Sequence, residues 1–159
     1  MLETIPMQAS MVPSEYAREI WEDIEGYMEK GAAYSGGRYE ASDVLHLIET
    51  LGYKLWIAFD GTGIKGAVVT GFVQYPRLKA LDMMFIGGED GPEWKIPMLN
   101  LLKKWGADND CVKLEAMGRE GWERMFKDEG AKRRWLAFEI DIDPAEAGEK
   151  KVDVENVVA

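Results

Sequence analysis

The chain has 159 residues, 47% of them hydrophobic, and carries 29 acidic against 19 basic side chains for a formal charge of −10. That length suits one domain with a real core, and that charge argues against a nucleic-acid backbone or an anionic membrane as the main partner. A single cysteine, Cys111, rules out an internal disulfide, and a single histidine, His46, leaves no Cys/His set for zinc, so no metal site is expected. The opening MLETIPMQAS has neither a basic n-region nor an apolar h-region, and no window approaches a membrane span. Together with the lone cysteine, this makes the cytoplasm the expected home.

A short first strand is expected at residues 2–5. Pro13 reads as the first position of a helix whose buried face is Tyr16, Ile20, Ile24, Tyr27 and Met28, closed by Lys30 and a C′ glycine, Gly31. The loop Ser35-Gly36-Gly37-Arg38-Tyr39 reads as a helix–helix connection, with a cleft rim as its functional alternative. Ser42 is the expected N-cap of a second helix presenting Val44, Leu45, Ile48 and Leu51, ended by Gly52. Residues 54–59 and 64–74 read as strands joined by the turn Asp60-Gly61-Thr62-Gly63, and Tyr75-Pro76-Arg77 turns the chain again.

Residues 78–105 organise the rest. The run 80–86 is apolar except for Asp82, too short for a buried helix and suited to a central strand. Gly87, Gly88 and Gly91 follow, and Pro92 suits a helix start. Trp94, Met98, Leu101, Leu102 and Trp105 then recur at helical spacing as one apolar stripe. A strand, a glycine-rich loop and a helix N-terminus can cradle an anion, although many such units use glycine only to turn. Asp108-Asn109-Asp110 is a polar turn, and Cys111 reads as a small buried hydrophobe at the start of a strand at 112–116. Residues 118–130 read as a short helix carrying Trp122, Met125 and Phe126. Residues 134–142 alternate as a last strand, with the consecutive cations Lys132, Arg133 and Arg134 a local basic patch before it. The domain is taken as residues 1–142. The tail, 143–159, is a mixed-charge linker whose Val152, Val154, Val157 and Val158 suit an added strand, a docking segment or a frayed end.

This order of elements resembles the GNAT superfamily of acetyl-CoA-dependent acyltransferases over residues 1–142. The segments SGGRY (35–39), LW (55–56), YPR (75–77), FIGG (85–88) and GREGW (118–122) are similar to small GNAT-like proteins encoded by tailed phages and prophages. The resemblance implies an α/β (α+β) fold: a mixed, mostly antiparallel sheet flanked by about four helices, its two central strands splayed in a V that admits acyl-CoA. It assigns pantetheine contacts to Met83, Met84, Phe85, Ile86 and Gly87, and pyrophosphate to a Q/R-x-x-G-x-G/A loop. Here that loop reads Gly87-Gly88-Glu89-Asp90-Gly91-Pro92-Glu93-Trp94. It lacks the Q/R, Pro92 has no N–H to donate, and each of Glu89, Asp90 and Glu93 repels a pyrophosphate by about 1 kcal/mol if exposed.

The tyrosine that often protonates the departing thiolate is replaced by Phe126, and the asparagine often found seven residues earlier by Arg119. Asp82 is the candidate base, its alternative being a strand carboxylate facing solvent or paired with Arg77. Two functions follow. One is a scaffold with a degenerate site, a virion-associated component that binds acetyl-CoA weakly or not at all and engages a protein partner of phage or host. The other is an active N-acetyltransferase with a divergent loop, in which Asp82 or water is the base.

Overall fold

The computed structural model describes residues 5–118 and 120–146. Its centre is a five-stranded sheet, in spatial order β1 (Gln8–Val12), β2 (Lys54–Asp60), β3 (Gly63–Gln74), β4 (Lys79–Gly88) and β5 (Lys113–Glu115). Neighbouring strands pair antiparallel, except β4 and β5, which run parallel. Four helices accompany it: α1 (Ala17–Ala33), α2 (Ala41–Thr50), α3 (Gly91–Asp108) and α4 (Glu120–Phe126). This is the mixed, mostly antiparallel α/β fold expected.

Alternation along the strands divides the core between the two faces of the sheet. Trp21, Ile24 and Met28 of α1 and Val44, Leu45 and Ile48 of α2 cover Leu55, Val69 and Phe85 on one face. Trp94, Met98 and Leu102 of α3 cover Trp56, Val68 and Leu81 on the other. Trp56 and Thr70 are both essentially inaccessible, and the indole Nε1 donates to the Thr70 hydroxyl at 2.9 Å, so both buried polar groups are satisfied.

Several boundaries differ from the sequence reading, each for a tertiary reason. The first strand lies at Gln8–Val12, where it pairs with β2; residues 2–4 of the expected strand lie outside the described residues. Pro13 precedes a single 3-10 turn, Ser14–Tyr16, and α1 begins after it. Tyr16 is exposed and Trp21 takes the buried place. Gly31 does not stop α1. It lies inside the helix, where an added Cβ would stand 3.3 Å from the Ile86 carbonyl, so it allows α1 to approach β4. The chain turns instead at Gly36 and Gly37, both with positive φ.

Glu40, not Ser42, caps α2, in a reciprocal capping box with Asp43 that satisfies two backbone donors. Leu51 sits past the end of α2 and is exposed. His46 is exposed, 3.4 Å from the Thr50 hydroxyl. Leu101 and Trp105 of α3 are only partly buried, and Leu99 joins the core in their place.

The expected last strand is not formed. Residues 134–142 have no regular secondary structure and make no sheet pairing with described residues, and Trp135, Leu136, Phe138, Ile140 and Ile142 are 62–85% exposed. Alternation supplies strand propensity, but a strand also needs an edge to pair with. One ion pair, Arg38 Nη2 to Glu139 Oε2 at 2.7 Å, ties this segment to the loop after α1. A 3-10 turn, Pro144–Glu146, follows, and Val152 to Val158 lie outside the described residues.

Candidate functional site

Two irregularities of β4 create the site. Val69 pairs with Phe85 while the next residue, Thr70, pairs with Met83, so Met84 is an extra residue, a β-bulge in β4. The insertion resets the alternation. Met84 and Phe85 both pack towards α1 and α2, whereas Met83 and Ile86 pack towards α3. The second irregularity is a parting of strands. β4 and β5 share only the pairs Ala80↔Lys113, Leu81↔Leu114 and Asp82↔Glu115, after which β4 runs on to Gly88 paired with β3 alone.

The divergence opens a cleft of ≈ 910 Å³. Met83 and Ile86 form its β4 wall and Leu99 and Lys103 its α3 wall. Trp122 and Phe126 close it from α4, and residues 75–78, 113–118 and 129–137 contribute to its margin. Phe126 is 7% exposed and stacks on Trp122 with ring centroids 6.5 Å apart, so the position expected to carry a hydroxyl is filled by an apolar ring.

Asp82 is half-buried at the last shared pair, and among the described residues it forms no ion pair with Arg77 or any other cation. Burial first, and then the Glu115 carboxylate directly across the ladder, push its carboxyl up to about 6. Glu115 is held in turn by Tyr75, whose hydroxyl donates to Glu115 Oε1 at 2.5 Å. That hydrogen bond, ahead of burial, raises the Tyr75 pKa and keeps the phenol protonated. The result is a phenol bonded to a carboxylate, beside a carboxyl of raised pKa, where the strands separate.

The loop before α3 is occupied with its own bonds. The Glu89 N–H donates to the Lys65 carbonyl at 2.8 Å, the Trp94 indole donates to the Glu89 carbonyl at 2.8 Å, and the Glu93 N–H donates to the Asp90 carbonyl at 2.9 Å. Lys65 and Glu89 also pair at 3.5 Å. The loop glycines serve close packing: a Cβ on Gly87 would collide with the Tyr27 backbone carbonyl, and one on Gly91 with the Met125 sulfur. Pro92 is at the second position of α3. Beside the loop, Lys95 donates to the Met125 carbonyl at 3.0 Å and pairs with Glu129 at 3.2 Å, both side chains 17% exposed. Arg119, also assigned to the cofactor from the sequence, lies outside the described residues.

Thus Phe126 faces Met83 and Ile86 across the cleft, whereas Asp82, Met84, Phe85, Gly87 and Gly88 of the same strand are not among the residues that line it. Glu115, Tyr75 and the Lys95–Glu129 pair were not anticipated. Glu115 had a detectable signal, since a charged residue next to Leu114 in a short strand must face the same side as a partner in the neighbouring strand.

By sequence, the chain matches no protein-family model and no curated protein. Its fold is that of solved acetyltransferases. It is 15% identical to a ribosomal-protein-alanine N-acetyltransferase from Brucella melitensis biovar Abortus, with a TM-score of 0.60 over 86% of this chain and 99% of that one. A GNAT family acetyltransferase of Staphylococcus aureus gives 0.59 at 8% identity, over 87% and 100%. A predicted acetyltransferase from Clostridium acetobutylicum, solved with acetyl-CoA, gives 0.60 at 12% identity, over 84% and 96%.

Proposed function

We infer that this chain uses the GNAT acetyltransferase fold as a scaffold for binding another protein, and that its acyl-CoA cleft no longer holds the cofactor's pyrophosphate. The observation that carries this reading is the loop before α3. Three of its polar groups are committed within the loop or to Lys65, Pro92 offers no N–H, and Glu89, Asp90 and Glu93 present negative charge where phosphates would sit. The residues present therefore do not fit a pyrophosphate. Phe126, which has no proton to donate, supports the same reading independently. The resemblance of segments such as SGGRY (35–39) and GREGW (118–122) to small phage- and prophage-encoded GNAT-like proteins favours a phage component, in the host cytoplasm or the virion, with a phage or host protein as partner. Calorimetric titration with acetyl-CoA tests the reading: weak or absent binding is expected, and micromolar affinity would overturn it.

A second reading, an active N-acetyltransferase, is favoured by Asp82. A carboxyl with a pKa of about 6 accepts a proton near neutral pH and sits where β4 and β5 part. In that case Asp82 takes the proton of an amine, and water stands in for the missing acid. Loss of general acid catalysis lowers turnover by about 10²–10⁴-fold without abolishing it. Asp82→Asn should then depress turnover of an amine panel while acetyl-CoA affinity stays constant. Equal activity of wild type and variant would remove Asp82 from this role.

A further inference from the structure

β5 is held to the sheet by the pairs Ala80↔Lys113, Leu81↔Leu114 and Asp82↔Glu115, preceded by the Val112 N–H, which donates to the Lys79 carbonyl at 3.0 Å. The last pair sets two carboxyl groups directly across the ladder, at the point where the strands part. Opposite charges in such positions support a sheet, and like charges loosen it. A ladder of three pairs has little to offset a repulsion at its end. Its middle pair is Leu81 with Leu114, and in the first Ala80 offers only a methyl group.

The surroundings supply no compensating charge. Among the described residues, neither Asp82 nor Glu115 forms an ion pair. On β3 the residue paired with Asp82 is Gly71, where an added Cβ would collide with the Tyr53 ring, so that side presents a phenol. From the turn between β3 and β4, Tyr75 donates its hydroxyl to Glu115, while Arg77 is exposed. On β5, Lys113 shares the side of Glu115 by alternation and is exposed. α1 meets β4 farther along, at Ile86 and Gly87. Glu115 lines the cleft and Asp82 does not, so the pair ties a cleft wall to the rest of the sheet.

We propose that the Asp82–Glu115 pair is a pH-sensitive latch on the cleft: with a proton on Asp82 the strand β5 stays on the sheet, and with both carboxylates ionised β5 comes away from β4 and uncovers the floor of Met83, Ile86 and Leu99. Burial, and then Glu115, push the Asp82 carboxyl up to about 6, so its proton is held more tightly with β5 in place than with β5 released. The closed ladder is therefore favoured below about pH 6 and loses that support as pH rises through this value. Were the carboxyl to revert fully to its ordinary value of 3.8 on release, the opened population would grow about tenfold between pH 5 and pH 8. Release of β5 removes only part of the burial, which lowers the factor towards about fivefold. Acetyl-CoA has no part in the latch, so it stands or falls separately from the scaffold reading.

Amide hydrogen exchange of the full chain between pH 5 and pH 8, with the intrinsic chemical rates divided out, tests it. The amides of Val112, Lys113, Leu114 and Glu115 report on the ladder, and those of Val68 and Val69, in the antiparallel centre, on the sheet as a whole. In wild type the ladder amides should be less protected than Val68 and Val69 at every pH, and their protection should fall about fivefold to tenfold across the range. Asp82→Asn should remove most of that slope. Glu115→Gln, which still offers Tyr75 an acceptor, should reduce it. A flat wild-type profile overturns the proposal, as does a slope that either variant leaves whole. Ladder amides as protected as Val68 and Val69 would also overturn it, because β5 would then leave only with the whole fold.

Discussion

Asp82→Asn provides a quantitative test of the site electrostatics that needs no ligand. The Asp82 carboxyl titrates at about 6 in the folded protein against 3.8 ordinarily, so the native state binds this proton more tightly than the unfolded chain does. The stabilisation from that proton is fully present below pH 3.8 and is lost as pH rises through about 6. At 1.36 kcal/mol per tenfold change in acidity the ceiling is about 3 kcal/mol, and screening of a partly exposed group reduces it to about 1–2 kcal/mol. Asparagine carries no charge at any of these pH values, so the variant should gain on wild type by that amount between pH 4 and pH 7.5. For a chain of this size the gain corresponds to roughly 3–6 °C in Tm. Urea unfolding of both proteins at half-unit pH intervals measures it. A stability difference that is flat across the range, or that shrinks as pH rises, would refute a raised Asp82 pKa and with it the poised carboxyl.

Other perturbations address the packing around the cleft. Lys95→Met should lower stability by about 1–3 kcal/mol by leaving the Glu129 carboxylate uncompensated, while Lys95→Met/Glu129→Leu should recover most of the loss in a urea double-mutant cycle. Gly87→Ala should destabilise by about 3 kcal/mol or more, because its Cβ meets the backbone of α1, whereas Gly91→Ala meets only the flexible end of Met125 and should lose about 1 kcal/mol; thermal melts rank the two. Phe126→Tyr alone should not produce acetyl transfer above wild type in a CoA-release assay, since positioning precedes proton transfer. Pairing that variant with a loop graft that adds arginine and Pro92→Gly is the informative comparison.

The hairpin of β2 and β3 and the strand β4 were legible because their signals are local: continuous apolar runs bounded by Asp60-Gly61-Thr62-Gly63 and by Tyr75-Pro76-Arg77. Gly31 was misread because a glycine that ends a helix and one that lets a helix approach a strand look alike until the strand is in place. The bulge at Met84 leaves no mark in β4 itself, because an inserted residue is defined only against its pairing partner. Residues 134–142 have the pattern of a strand, and pattern alone does not supply an edge. At the site, Asp82 was identified as the one charge in an apolar run. Its environment depended on Glu115, about thirty positions away, and on a parallel register that no local rule encodes.

The three-pair ladder between β4 and β5 also bears on the order of folding. β2 to β4 close through antiparallel neighbours, the β2–β3 and β3–β4 links being short turns with little loop entropy to overcome. β5 joins only after the whole of α3 has been threaded across the sheet, and then with three residue pairs. Contacts that span so much chain for so few bonds form late and open first. Amides in the three-strand meander β2–β4 should therefore exchange only on global unfolding, while those of Lys113, Leu114 and Glu115 exchange through a local opening. The wall of the cleft would then be its own cooperative unit, able to detach from a sheet that stays folded.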